Sequence, residues 1–318
     1  MPILSGLAAI LAWIGRQGTR ALACSVFVGL AVPQLAAYVK PYLGETVFVL
    51  LLFSYLRTDP SAFRSHLRAP GLAIAAALWV MLALPLLFGT IYSFTDLRAV
   101  PALYTIMILH AAIGPITSSA AFAALMGLDV ALSLMTLILA SAISPVTTVA
   151  FSYWFLGTSL FSPIDLGINL FLFFAASGVV AYAIRRVAGQ ARIERQKDVI
   201  DGLNVLAVFA FAIAAMDGVP QMVMADPLLA LKLFGFIVVV TCAMAGLSAL
   251  VFIRAGANRA LAIGLIAGFR NLGVVMAALG ASLPHVAWLY FALAQFPIFL
   301  MPVLLQPLAR RLQQASAT

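Results

Sequence analysis

Long apolar runs alternate with short polar stretches along the whole chain. A helix needs about 20 apolar residues to cross the hydrocarbon core of a bilayer. On that length the pattern predicts ten spans, near residues 21–39, 45–57, 70–93, 100–126, 128–156, 163–185, 199–216, 228–253, 259–280 and 285–308. The second is short. Ahead of them, residues 1–18 read as a helix in the membrane interface, closed by Gly15, Arg16 and Gly18. The expected fold class is therefore an all-α polytopic membrane protein.

The basic residues test that count. Arg16, Arg20, Arg57, Arg64, Arg68, the Arg185–Lys197 cluster, Arg254, Arg259, Arg310 and Arg311 fall on one side of the predicted membrane. Lys40 and Arg98 fall on the other, with Lys232 close to it. Cytoplasmic loops carry the excess of Lys and Arg. The expected orientation places both termini in the cytoplasm, in a bacterial inner membrane. One basic residue escapes the alternation: Arg270 falls in the middle of the ninth span.

Composition agrees with the pattern. Of 318 residues, 64% are hydrophobic and 9% charged, where a soluble domain carries about 25% charged residues. The net charge of +8 resides in the loops and calls for no nucleic acid. Cys24 and Cys242 sit in apolar runs and suggest neither a disulfide nor a metal site. The first residues carry no charged segment and no cleavage site, so no removable signal peptide is expected. No phosphate loop, catalytic triad or metal-ligand spacing points to an enzyme or a cofactor. No ring of charge suggests a pore.

Ten spans divide into five plus five, residues 19–157 and 158–318. An odd number per half inverts the second half relative to the first, a common plan for secondary transporters. The fourth span of each half carries helix-breaking sequence. In the first half it is Gly114-Pro115 followed by Thr117, Ser118 and Ser119. In the second it is Gly268-Phe269-Arg270-Asn271-Leu272-Gly273. Proline removes a backbone donor, and glycine lowers the cost of unwinding. Broken backbone at membrane depth must be buried in protein or line a wet cavity. The matched pair predicts crossed, discontinuous helices 4 and 9 forming a binding site. Thr117, Ser118 and Ser119 would offer hydroxyls and free N–H groups at a half-helix start, which suits an anion. His110, one turn before the break, is a candidate ligand or proton relay.

At these residues the chain resembles the bile acid:sodium symporter family, bacterial members included. The resemblance runs from the opening Met1-Pro2-Ile3-Leu4-Ser5, through Asp59-Pro60, Phe63-Arg64 and Arg68-Ala69-Pro70, to both breaks. It includes Gly127, Ala131-Leu132-Ser133 and Ser144-Pro145 after the first break, and Ala262–Leu279 around the second. It implies a panel domain from spans 1, 2, 6 and 7 and a core domain from spans 3–5 and 8–10. It implies a small or amphipathic organic anion held between them and carried by alternating access.

The sodium-ligand positions implied by that resemblance fall at Ala120, Ala121, Ser141, Ile266, Arg270 and Asn271, with one more near Val80. Only Asn271 and the Ser141 hydroxyl keep side-chain oxygen. Sodium needs several oxygen ligands, so these replacements argue against sodium coupling. Arg270 stays protonated and is costly in mid-membrane without compensation. No acid falls at its depth in this topology; Asp129, near the start of the fifth span, is the least distant. An unpaired guanidinium there suits an anionic substrate, or it caps the carbonyls of its own break. The predicted substrate site is Arg270, Asn271, Gly268, Gly114, Pro115, Thr117, Ser118, Ser119 and His110. The other partner expected is the lipid bilayer, with the chain a monomer or weak oligomer.

Two other functions fit the same pattern. One is an efflux carrier of auxin-carrier-like or arsenite-exporter type, the latter disfavoured because no cysteine lies near either break. The other is a membrane sensor that binds a ligand without moving it.

Overall fold

The structure, a computed structural model, describes residues 9–14, 24–57, 70–157, 161–280 and 284–315. Arg16, Arg20, Arg64 and Arg68 lie outside the described residues, as do the Asp59-Pro60 and Phe63-Arg64 pairs. So does most of the predicted interfacial helix; its residues 9–14 are helical. Among the described residues there is no β-strand.

After helical stretches at 9–14 and 24–31, the chain forms α1 Pro33–Val39, α2 Leu43–Arg57, α3 Gly71–Leu78, α4 Leu84–Ser93 and α5 Pro101–Ala112. Then follow α6 Ser119–Met126, α7 Val130–Leu156, α8 Pro163–Ala188, α9 Gln190–Arg195 and α10 Lys197–Ala215. The last are α11 Val219–Ala225, α12 Pro227–Val251, α13 Ala257–Gly268, α14 Leu272–Leu279 and α15 His285–Ala315. Six runs are long and apolar enough to cross a membrane: Pro33–Leu56, Gly71–Ser93, Val130–Leu156, Pro163–Ala188, Lys197–Ala225 and Pro227–Val251. The protein is an all-α membrane protein.

Proline and glycine mark where these helices start and stop. Pro33, Pro101, Pro163 and Pro227 open helices, where the missing N–H would have had no partner anyway. Gly127 closes α6 at φ 70°, a left-handed position that only glycine adopts freely. Asp129 then caps α7, its carboxylate accepting from the Leu132 N–H at 2.9 Å.

One predicted boundary moves. Residues 40–44, expected as a loop, are helical and join α1 to α2 through a short 3₁₀ turn. The interruption falls instead at Val32, because Pro33 cannot continue a helix already under way.

The chain divides into two compact units, residues 1–59 with 172–227, and residues 60–171 with 228–318. In the first, α10 packs along α1 and α2, and Lys40 meets Asp217 at 2.8 Å. Arg185 donates to the Tyr55 and Leu56 carbonyls at the end of α2, the usual way a cation satisfies a helix C-terminus. In the second, α3, α5, α6 and α13 all pack on α7. There α13 lies close against α12, and glycines set the contact. A Cβ at Gly264 would sit 2.6 Å from the Ala245 carbonyl oxygen, and one at Gly268 2.9 Å from that of Thr241. Small residues permit such backbone approach in membrane helices.

Candidate functional site: two broken helices bridged by their backbones

The site lies in the second unit, where α5 gives way to α6 and α13 to α14. Helix α5 stops at Ala112, and Ile113 is extended at φ −69°, ψ 150°. Helix α13 stops at Gly268, and Phe269 is extended at φ −99°, ψ 100°. The two extended stretches run antiparallel, with Pro115 opposite Arg270. The Ile116 N–H donates to the Phe269 carbonyl, and the Asn271 N–H to the Gly114 carbonyl, each at 2.9 Å. Pro115 has no N–H to give, and it sits at the pair position that needs none. Each break thus satisfies backbone groups that the other leaves orphaned, which burial in a membrane demands.

Arg270 is wholly enclosed, at 0% exposure. Its Nη1 donates to the Ile113 carbonyl and its Nη2 to the Val80 carbonyl, each at 3.0 Å. Both oxygens are spare for a stated reason. Ile113 lies just past the end of α5. Val80 lies in a π-helical turn, Trp79–Ala83, where the Leu84 N–H reaches back to the Trp79 carbonyl. The next donor in that ladder falls on Pro85, which has none. The guanidinium supplies the missing hydrogen.

Asp129, the least distant acid in the sequence reading, is engaged elsewhere. Asp129 caps α7 and pairs with Arg259 at 3.4 Å. No carboxylate of the described residues pairs with Arg270.

Two hydroxyls on α7, not singled out from the sequence as ligands, brace the first break. The Gly114 N–H donates to Ser144 Oγ at 3.0 Å, and Thr148 Oγ1 donates to the Ala112 carbonyl at 3.1 Å. Their spacing of four residues on one helix is the signal that could have found them. Ser141, the expected hydroxyl, is half-buried one turn before Ser144, and no hydrogen bond joins it to the break. Gly114 is also needed for the approach, since a Cβ there would meet Ser144 Oγ at 3.1 Å.

His110 is buried and shares a 2.7 Å hydrogen bond with the Tyr290 hydroxyl. Ser119 is buried too, and its hydroxyl donates to the Ile116 carbonyl at 2.6 Å. Ile266 is buried, Ala120 is half-buried and Ala121 is exposed. Thr117, Ser118 and Asn271 are half-exposed. Neither the Ser118 nor the Asn271 side chain caps the helix that follows it. Among the described residues, the N–H groups of Thr117, Ser118, Ala120 and Ala121 make no backbone hydrogen bond. The accessible edge of the bridge therefore offers donors and no negative charge. No group of three or more metal-ligating side chains occurs among the described residues.

No family model matches the chain, and none of the curated proteins is a match to it.

Proposed function

We propose that this protein is a secondary transporter of small organic anions, seated in a bacterial inner membrane with both termini cytoplasmic. In this reading it has ten spans in two inverted five-helix repeats, of the bile acid:sodium symporter type. The observation that carries the proposal is the Pro115–Arg270 bridge. It sets the free N–H groups that open α6, and the Asn271 amide, beside a guanidinium with no carboxylate partner. A half-helix N-terminus carries partial positive charge and binds anions through its free N–H groups. Arg270 adds a full positive charge from beneath without touching the ligand.

Alternating access needs an element with two arrangements. The eight-residue half-helices α6 and α14 that follow the two breaks are the elements this reading assigns to that change. Sodium has little to bind here. The Ile113 carbonyl at the first break already accepts from Arg270, and Ile266, Ala120 and Ala121 offer no side-chain oxygen. The proposed cycle accordingly runs without a sodium gradient.

The test is uptake of radiolabelled carboxylates, bile acids included, into liposomes holding the purified protein. Uptake is expected with or without sodium, and Arg270→Gln is expected to abolish it. Uptake that follows sodium steeply ends the uncoupled reading. Binding of anions without any flux ends the transport reading.

A further inference from the structure

We propose that the corner formed by α9, the start of α10 and the helical stretch 9–14 binds an anionic phospholipid, with Arg192, Arg195 and Lys197 on its headgroup phosphate. The corner lies in the first unit and stands apart from the transport proposal.

Helix α9 joins two runs long and apolar enough to cross a membrane, Pro163–Ala188 and Lys197–Ala225, so it sits at the membrane surface. Gly189 turns the chain at φ 79°, and α9 folds back on the spans. Ile193 is buried in a cluster with Leu56 of α2 and with Ala181, two turns before the end of α8. With that face anchored, Arg192 and Arg195 are exposed, and so is Lys197 two residues on.

The charge of this corner is largely uncompensated. Between residues 185 and 198 there are five basic side chains and two acidic ones. Arg185 is occupied by the carbonyls at the end of α2, and Glu194 accepts from Gln190 at 3.0 Å. Among the described residues no carboxylate pairs with Arg192, Arg195 or Lys197.

An apolar surface adjoins it. Residues 9–14 lie against the start of α10, where a Cβ on Gly202 would collide with the Leu11 carbonyl. Gly202 is five residues beyond Lys197, about 7.5 Å along the helix. Ile10 and Trp13 on that stretch are each 57% exposed. Exposed tryptophan belongs at headgroup level, with apolar neighbours in the acyl boundary.

Together the two surfaces define the ligand. Arg192 and Arg195, three residues apart on one helix, are neighbours, and guanidinium matches phosphate bidentately. A soluble anion would meet the charges and leave Ile10 and Trp13 uncovered. A zwitterionic lipid would cover them and bring no net charge. An anionic phospholipid does both. Each basic residue near an anionic membrane surface is worth about fivefold in affinity.

The experiment uses the full-length protein in neutral detergent. Thermal unfolding is followed as phosphatidylglycerol, phosphatidylcholine or inorganic phosphate is added. Saturable stabilisation is expected from phosphatidylglycerol alone. Combining Arg192→Gln, Arg195→Gln and Lys197→Gln is expected to raise its half-saturating concentration at least about tenfold. Arg254→Gln, at an exposed basic residue of the second unit, is expected to leave it unchanged. A second readout needs no charge variant. Brominated phosphatidylglycerol is expected to quench tryptophan fluorescence more than brominated phosphatidylcholine, and Trp13→Phe is expected to remove most of the difference. Equal stabilisation by the two lipids, equal stabilisation by inorganic phosphate, an equal shift from Arg254→Gln, or a quenching difference that survives Trp13→Phe overturns the proposal.

Discussion

Arg270 Nη2 donates to the Val80 carbonyl at 3.0 Å across 190 residues of sequence, and the oxygen is available because position 85 is a proline. Two local defects thus cancel. A π turn that would strand an acceptor meets a cation that would strand its donors. Neither is stable at membrane depth alone, since unsatisfied groups there cost several kcal/mol each.

The cancellation predicts energetic coupling between Pro85 and Arg270. Arg270→Lys keeps the charge but loses the planar fork that spans two carbonyls. It should lower stability by about 1.5–3 kcal/mol, one charge-assisted hydrogen bond. Pro85→Ala supplies a backbone donor that competes for the same acceptors, so Arg270→Lys should cost less in that background. A double-mutant cycle read by unfolding in mild detergent should give a coupling of about 1 kcal/mol. Strict additivity would show that Pro85 does not free the Val80 oxygen.

Ser144 and Thr148 brace the first break from α7. Ser144→Ala leaves the Gly114 N–H buried without an acceptor, and Thr148→Val leaves the Ala112 carbonyl without that donor. Each should cost about 1–3 kcal/mol. Ser141→Ala, three residues away and half-exposed, should change stability by less than about 0.5 kcal/mol. Equal losses at 141 and 144 would count against the assigned roles.

The crossing was legible in the sequence because its causes are local. Gly114-Pro115 and Gly268 through Gly273 carry helix-breaking chemistry in their own residues. The membrane class was legible from run length alone. What could not be read depends on contacts between distant segments. Nothing in the sequence near Arg270 names Val80, and the π turn that frees its carbonyl is the outcome of Pro85 acting within a packed helix. Asp129 looked like a distant acid for Arg270, but it serves as a helix cap, a role decided by the Gly127 turn just before it. The helical join at residues 40–44 was missed because Lys40, Pro41 and Gly44 read as loop residues. A 3₁₀ turn accommodates Pro41 without breaking the run.

Glycine spacing along α12 and α13 makes a sharper packing prediction. Gly264→Ala places a methyl group 2.6 Å from the Ala245 carbonyl oxygen, a backbone atom that cannot step aside alone. The two helices must part, at a cost of about 1–3 kcal/mol. Gly235→Ala and Gly246→Ala on α12 meet nothing within 4 Å. They should be neutral or stabilising by up to about 1 kcal/mol, since alanine is the better helix former. Similar unfolding midpoints for Gly264→Ala and Gly246→Ala would refute the close contact.

Accessibility separates the open edge of the bridge from its sealed underside, and thiol chemistry reads the difference. The native Cys24 and Cys242 are both exposed, so they are first replaced by alanine. Ser118 is half-exposed at the start of α6, whereas Ser119, the next residue, is 0% exposed and bonded to Ile116. Reaction with a charged thiosulfonate follows thiolate exposure. Ser118→Cys should therefore react at least about tenfold faster than Ser119→Cys. An anionic substrate seated on the free N–H groups of Thr117 and Ser118 should slow labelling at 118 in proportion to its occupancy. It should leave the rate at Ser93→Cys, on a different helix, unchanged. A reagent carrying negative charge should outpace a positive one at 118, because the half-helix start and Arg270 both attract anions. Equal rates for the two charges, or no protection by any transported anion, would remove the edge of the bridge as the substrate seat.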